Sequence, residues 1–141
     1  MLKIISFTIK DKTRYNQALE IREKVFIQEQ QVARDLEVEN EDQARYYLLL
    51  LDEKPVGTAR WRKTSEGIKL ERFAVLPEYR SQNLGSEILR VVLADLKNRT
   101  EKVYLHSQLK AIPYYQRQGF EKHGPMFTEA NIRHFMMVWS K

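Results

Sequence analysis

The sequence predicts one mixed α/β domain, an α+β arrangement around a central sheet of six or seven strands. Three observations carry that expectation. An opening strand gives way to a helical period, three strand-like runs joined by tight turns form a meander, and a later strand, helix and strand in succession require a crossover. At 141 residues, 43% of them hydrophobic, the chain has enough apolar surface for one core.

Leu2–Ile9 reads as a strand, with Ile5, Phe7 and Ile9 on the stronger apolar face and Leu2 and Ile4 on the other. From Thr13, the apolar positions Tyr15, Ala18, Leu19, Val25 and Phe26 predict a helix over 13–29 with Arg22 in the same stripe. Gln30–Gln43 is polar, acidic and without a period, so a loop with a short helical turn is expected there, a candidate wall of a site. Strands Arg45–Asp52, Val56–Thr64 and Ile68–Val75 follow, joined by Asp52-Glu53-Lys54-Pro55 and Ser65-Glu66-Gly67. Leu84, Ile88, Val91, Val92 and Leu96 mark a second helix, which the polar stretch Lys97–Lys102 ends. Val103–His106 is then a short buried strand, parallel to Ile68–Val75 because a helix separates the two. Ala111–Gln118 is a short helix with Pro113 in its first turn and Gly119 as its stop, and Phe120–His123 and Phe135–Trp139 complete the sheet.

The absence of cysteine excludes disulfides and thiolate chemistry. The longest apolar run, Tyr46–Leu51, is too short to cross a bilayer, and Lys10–Arg14 interrupt the opening segment before it can act as a signal core. A soluble, cytoplasmic protein that does not engage a membrane is expected. The balance of 24 Lys and Arg against 19 Asp and Glu leaves +5, which favours an anionic partner, either a phosphorylated small molecule or nucleic acid. Glu37, Glu39, Glu41 and Asp42 cluster, so the excess base lies elsewhere. No zinc-finger, RNP or basic-zipper pattern supports nucleic acid, and no metal is expected, since His134 has no second ligand nearby.

The joint Arg80-Ser81-Gln82-Asn83-Leu84-Gly85-Ser86 lies between a strand and an amphipathic helix. Such a joint presents the unpaired amides of a helix N-terminus, and with an arginine leading in and αL-tolerant Asn83 at the turn it suits a phosphate or diphosphate.

Four motifs in this order of elements resemble the GCN5-related N-acetyltransferase (GNAT) superfamily, and together they cover nearly the whole chain. Arg80 and Gly85 match that family's Arg-x-x-Gly-x-Gly element, with Asn83 at the first glycine, and Ala111–Phe120 is similar to its Ala-x-x-aromatic-Tyr-x-x-x-Gly-Phe element. Arg22-Glu23-Lys24-Val25-Phe26-Ile27-Gln28-Glu29-Gln30, followed by Val32, resembles the opening motif of a bacterial branch, the ElaA and YjcF-like proteins. Glu129-Ala130-Asn131-Ile132-Arg133-His134 is similar to that branch's Glu-Ala-Gly-Ile-Pro-His ending, with Asn131 and Arg133 at the Gly and Pro, and Glu39 stands where Asp is usual. The resemblance implies the acyl-CoA N-acyltransferase fold, a mixed sheet flanked by about four helices with a splayed parallel strand pair forming the cofactor cleft.

It also implies transfer of an acetyl group from acetyl-CoA to a primary amine, by direct attack on the thioester. Backbone amides from Gln82 to Ser86, Leu84 and Gly85 among them, would hold the diphosphate, with Arg80 adding charge. Phe73, Ala74 and Val75 would line the cleft, and a backbone N–H there would polarise the carbonyl. An alkylamine with a pKa near 10.4 carries a proton at neutral pH that costs about 4–5 kcal/mol to remove, so a base is needed. Glu71 is the candidate, with pairing to Arg72, Arg60 or Arg62 as the equal alternative. Tyr115, four residues before Gly119, stands where the family's general acid sits, while Tyr114 is expected to pack. Gln108 is a cofactor-contact candidate, or a cap of the next helix. Arg22 and Glu29, seven residues apart, are expected to share a face as an ion pair or to order the acceptor site, and Glu129 and His134 to approach the acceptor. The acceptor is expected to be a small-molecule amine of unspecified kind, and a homodimer is a common state for such a domain. Two other functions stay open: a non-catalytic acyl-CoA-binding module, suggested by Asn83, and a nucleic-acid binder, suggested by charge alone.

Overall fold

The computed structural model describes residues 1–30 and 41–141. Strand β1 (Leu2–Phe7) leads to helix α1 (Lys12–Arg22), capped by the Asp11 carboxylate accepting the Arg14 amide at 3.1 Å. The helix does not continue regularly to residue 29, as the spacing predicted. Glu23–Glu29 winds as a π-helix, closed by the Gln30 amide on the Val25 carbonyl at 3.0 Å. The wider winding keeps Arg22 and Val25 buried while Phe26 turns to the cleft described below. Of the expected loop Gln30–Gln43, residues 31–40, with Val32, Glu37 and Glu39, lie outside the described residues, and Glu41–Gln43 ends it as a 3₁₀ turn.

Strand β2 (Ala44–Leu51) turns through Asp52–Glu53, both at positive φ (50° and 70°), into β3 (Lys54–Thr64), which therefore begins two residues earlier than predicted. β4 (Gly67–Val75) follows, then a 3₁₀ turn (Pro77–Gln82), helix α2 (Leu84–Leu96), β5 (Val103–Gln108) and short helix α3 (Ile112–Arg117), with Gly119 at φ 93° as the predicted stop. β6 (Phe120–Glu129) and β7 (Ile132–Trp139) are both longer than the sequence predicted. In the missed part of β6 all residues but half-buried Phe127 are exposed, so it carries no apolar alternation to detect. Ala130 and Asn131, both at positive φ (51° and 64°), form the two-residue turn, and Asn131 thereby does what glycine does there.

The seven strands lie in the order β1-β2-β3-β4-β5-β7-β6, antiparallel except for the β4–β5 pair. β2 is buried on both sides. Tyr46, Leu48 and Leu50 pack with Ala18, Ile21 and Val25 on the α1 side, while Tyr47 and Leu49 pack with Ile88, Leu89, Val92 and Leu96 of α2 on the other. An uninterrupted apolar run is what a strand covered on both faces requires.

Candidate active site

β4 and β5 run together for three pairs, Ile68–Val103, Lys69–Tyr104 and Leu70–Leu105, and then part. At the parting point Arg72 takes φ 58°, and Arg72 and Phe73 together oppose the single residue Ala59 of β3. That bulge bends β4 away while β5 stays paired to β7 as far as Gln108–His134. The wedge opens into a cavity of about 350 Å³ lined by Leu70–Phe73 of β4, Leu105–Gln108 of β5, Phe26 and Tyr115, with Glu129 and His134 from the closing hairpin. Its size suits a small-molecule site.

After the Pro77–Gln82 turn, Asn83 adopts the left-handed conformation expected of it, φ 59° and ψ 24°, and starts α2. Its carbonyl accepts the Glu87 amide at 3.2 Å, so the amides of Leu84, Gly85 and Ser86 precede the helix's own hydrogen bonds. A methyl group at Gly85 would meet only Val75 Cγ2 at 3.9 Å, ordinary contact, so no neighbour within the protein demands glycine and the space beside it is open. Ser86 Oγ and the Tyr114 hydroxyl share a hydrogen bond of 2.9 Å, which ties α2 to α3; Tyr114 therefore does more than pack. Ser81 and Gln82 are exposed in the turn and Leu84 is buried, leaving its amide as the group it can offer a ligand.

Arg80 Nε donates to the Val75 carbonyl at 2.9 Å, and its two terminal nitrogens take both oxygens of Glu29 at 2.7 and 2.6 Å. The expected Arg22–Glu29 pair does not form. Seven residues bring two side chains to one face only in a regular α-helix, and the π-wound segment turns Glu29 toward Arg80 instead. The Arg80 guanidinium holds the Glu29 carboxyl below its ordinary range. Arg22, fully buried, donates from both terminal nitrogens to Glu41 at 2.8 Å each.

Glu41 is the hub of a buried charge network that the sequence did not single out. It also accepts from the Tyr15 hydroxyl at 2.6 Å and pairs with Arg60, while Tyr46 donates to its carbonyl. Arg60 reaches onward to Glu71, with Nε at 3.0 Å and Nη2 at 2.8 Å from Oε1. Arg62 Nε joins the same oxygen at 2.6 Å, and Lys69 stands 3.5 Å from Oε2. Burial pushes the Glu71 carboxyl up, but Arg60, Lys69 and Arg62 together outweigh it and hold the group below the ordinary range. Glu71 thus makes the ion pairs with Arg60 and Arg62 that stood as the alternative to its role as base.

Tyr115 faces the cavity, its ring edge-on to Tyr114 at 5.0 Å and to Phe120 at 5.8 Å between centroids. Its hydroxyl has no hydrogen-bond partner among the described residues. Desolvation, with Tyr114 adding to it, pushes its pKa up to about 12, so the phenol keeps its proton. Gln108 lines the cavity and makes no capping bond to the following turn, while Phe73 lines it from β4. Ala74 and Val75 do not: Ala74 packs on the α1 side, and Val75 packs on the α2 side and offers Arg80 its carbonyl.

The hairpin brings together Glu129, buried His134 and His106, the last of which the sequence did not mark. His106 Nδ1 lies 3.2 Å from Glu129 Oε2, and His134 Nε2 lies 4.0 Å from Oε1. The hydrogen bond with His106 leads the influences that hold the Glu129 carboxyl down at about 2, against partial burial, with Lys69 and His134 assisting. A lone histidine inside a strand has no periodic signature; the pairing of β5 with β7 and of β7 with β6 creates this cluster.

A parted parallel strand pair beside an open helix start defines the acyl-CoA N-acyltransferase fold. The chain belongs to the GNAT acetyltransferase family, whose profile, the acetyltransferase (GNAT) domain, matches residues 10–141. It is 32% identical over 135 residues to YjcF, an uncharacterized N-acetyltransferase of Bacillus subtilis (strain 168), a match covering 92% of this chain and 94% of that protein. The fold is shared with an acyl-CoA N-acyltransferase from Pseudomonas aeruginosa at a TM-score of 0.88 and 20% identity, covering 99% of this chain and 100% of that one. It is shared equally with Escherichia coli ElaA, at a TM-score of 0.87 and 21% identity over 99% and 100% of the two chains.

Proposed function

We propose that the protein transfers an acetyl group from acetyl-CoA to a primary amine of a small molecule, by direct attack of the amine on the thioester. The observation that carries this reading is the open wedge between β4 and β5, lined by Tyr115, whose hydroxyl has no hydrogen-bond partner among the described residues. The residues present fit the cofactor: the turn before α2 offers three amides, and a side chain beginning at Gly85 would meet only Val75 Cγ2, at 3.9 Å.

Acetyl-CoA supplies an acyl group activated as a thioester. The amides of Leu84–Ser86 and the turn Ser81–Asn83 would hold its diphosphate, and Arg80 would add charge by exchanging Glu29 for a phosphate oxygen. The unpaired edge of β4 beyond Leu70 presents a backbone donor to the carbonyl oxygen, in the manner of an oxyanion hole. Phe73 and Gln108 border the acyl end. Tyr115, protonated at neutral pH, gives its proton to the departing sulfur. Glu71 is a fixed anion that attracts the acceptor's ammonium through Oε2, the oxygen less occupied by arginine. A general base works best with a pKa near the working pH, and Glu71 lies well below it.

Asn83 holds the left-handed geometry a glycine would hold there, which supports an intact cofactor clamp. Calorimetry with acetyl-CoA at low salt, followed by thiol release across a panel of amines, tests the reading. Absence of cofactor binding ends it. Tyr115→Phe is expected to bind acetyl-CoA as before and to lose about 10²- to 10⁴-fold in kcat; an unchanged kcat removes Tyr115 from the mechanism.

A further inference from the structure

With Glu71 Oε1 held by Arg60 and Arg62 and its carboxyl kept ionised, the acceptor's proton needs another destination, and the opposite wall of the cavity provides one. His106 lines it, and the ring is fenced by Phe127 edge-on at 4.8 Å and by Tyr104 at 5.8 Å between centroids. Glu129 is ionised and can only accept, so His106 Nδ1 carries the hydrogen of their 3.2 Å bond and, in the neutral ring, Nε2 carries the lone pair. Nε2 has no hydrogen-bond partner among the described residues. His134 is engaged differently: its Nδ1 bonds the Ile132 carbonyl at 2.7 Å, and its ring stacks on Phe127 at 5.8 Å and 19°.

We propose that His106 is the general base of the transfer, with Glu129 as the positioning residue that fixes its tautomer and steadies the imidazolium. The arrangement is a carboxylate–imidazole dyad with the reactive nitrogen turned away from the carboxylate. This inference rests on the acetyl-transfer reading above. The charged and titratable groups around His106 on this cavity are Lys69, Glu71 and Arg72 from β4, Glu129 from β6, His134 from β7 and Tyr115 from α3.

The acceptor ammonium gives one proton to His106 Nε2, and the freed nitrogen lone pair forms the C–N bond at the carbonyl carbon. As the C–S bond breaks, sulfur leaves with the bonding pair and takes the Tyr115 proton, and Tyr115 recovers one from the new amide nitrogen. His106 then releases its proton to solvent. The balance is one amide, one thiol and one proton from one ammonium and one thioester.

Nitrogen NMR of labelled protein is expected to show neutral His106 as the Nδ1–H tautomer, and Glu129→Ala to abolish that preference. Independently, His106→Gln is expected to bind acetyl-CoA with unchanged affinity and to lower kcat/KM for an alkylamine by about 10²- to 10⁴-fold at neutral pH. The same variant should lose the acidic limb of the pH–rate profile. An Nε2–H tautomer in the wild type, or a variant that keeps both rate and limb, overturns the proposal. Failure of the wild type to bind acetyl-CoA would instead overturn the acetyl-transfer reading, and the tautomer measurement would still decide the dyad.

Discussion

Glu71 and Glu129 face the same cavity from opposite walls, and both are held below the ordinary carboxylate range, yet by unlike surroundings. Glu71 is 7% exposed at its side chain and sits among Arg60, Arg62 and Lys69 in a network that runs through Arg60 to Glu41 and Arg22. Glu129 is 47% exposed and answers to two imidazoles. A depressed pKa therefore says little about role until the partner is named. Guanidinium partners never give up their protons and make a carboxylate a fixed charge, whereas an imidazole partner can exchange its own and makes the carboxylate an organiser of proton transfer.

The largest expected effect separates the two regions through stability. Glu41→Ala leaves the buried Arg22 and Arg60 without their shared carboxylate and is expected to cost about 3–5 kcal/mol in urea unfolding, whereas Glu129→Ala stays within about 1 kcal/mol at neutral pH. Equal costs would break the contrast. A smaller effect sharpens it by touching neither carboxylate: Gly85→Val fills the space beside the α2 amides and should weaken acetyl-CoA binding by about tenfold, roughly 1.4 kcal/mol. Its thermal midpoint should hold, because valine is no worse a helix former than glycine; a lowered midpoint with intact binding would mean that the glycine serves packing.

The smallest effect lies in acid. The folded-state pKa values of Glu41, Glu71 and Glu129 are all depressed, so their contribution to stability is complete above the unfolded carboxylate value of about 4.3 and is lost as pH falls below it. For Glu129 that loss extends down to about pH 2. Urea midpoints measured at stepped pH should be flat from about pH 7 to 5 and then fall, slightly less steeply in Glu129→Gln. An identical slope in that variant would mean that the half-exposed carboxylate is screened to the point of irrelevance.

Elements whose signal is local were legible in the chain. The apolar run of β2, the amphipathic α2, the left-handed Asn83 and the stop at Gly119 all follow from residue type and spacing, and the structure places them as the spacing predicted. The misses have three causes. The π-winding of Glu23–Glu29 is one extra residue per turn, invisible in a side-chain pattern, and it sent Glu29 to Arg80 and left Arg22 for Glu41. The outer half of β6 is exposed but for half-buried Phe127 and so shows no alternation. His106 became a candidate only through strand pairings that lie outside its own neighbourhood in the chain.

Read one residue after another, the polypeptide specified its succession of strands and helices, the anion-ready turn before α2 and the tyrosine beside the cleft. Backbone preference and hydrophobic periodicity act over a few residues, so these were open to inspection. Which charge meets which was settled by folding alone, because hydrogen bonds and ion pairs reach only about 3–4 Å. Partners separated by 19 to 51 positions, such as Arg22 with Glu41 and Glu29 with Arg80, come within that reach only after helix winding and strand register have set their places.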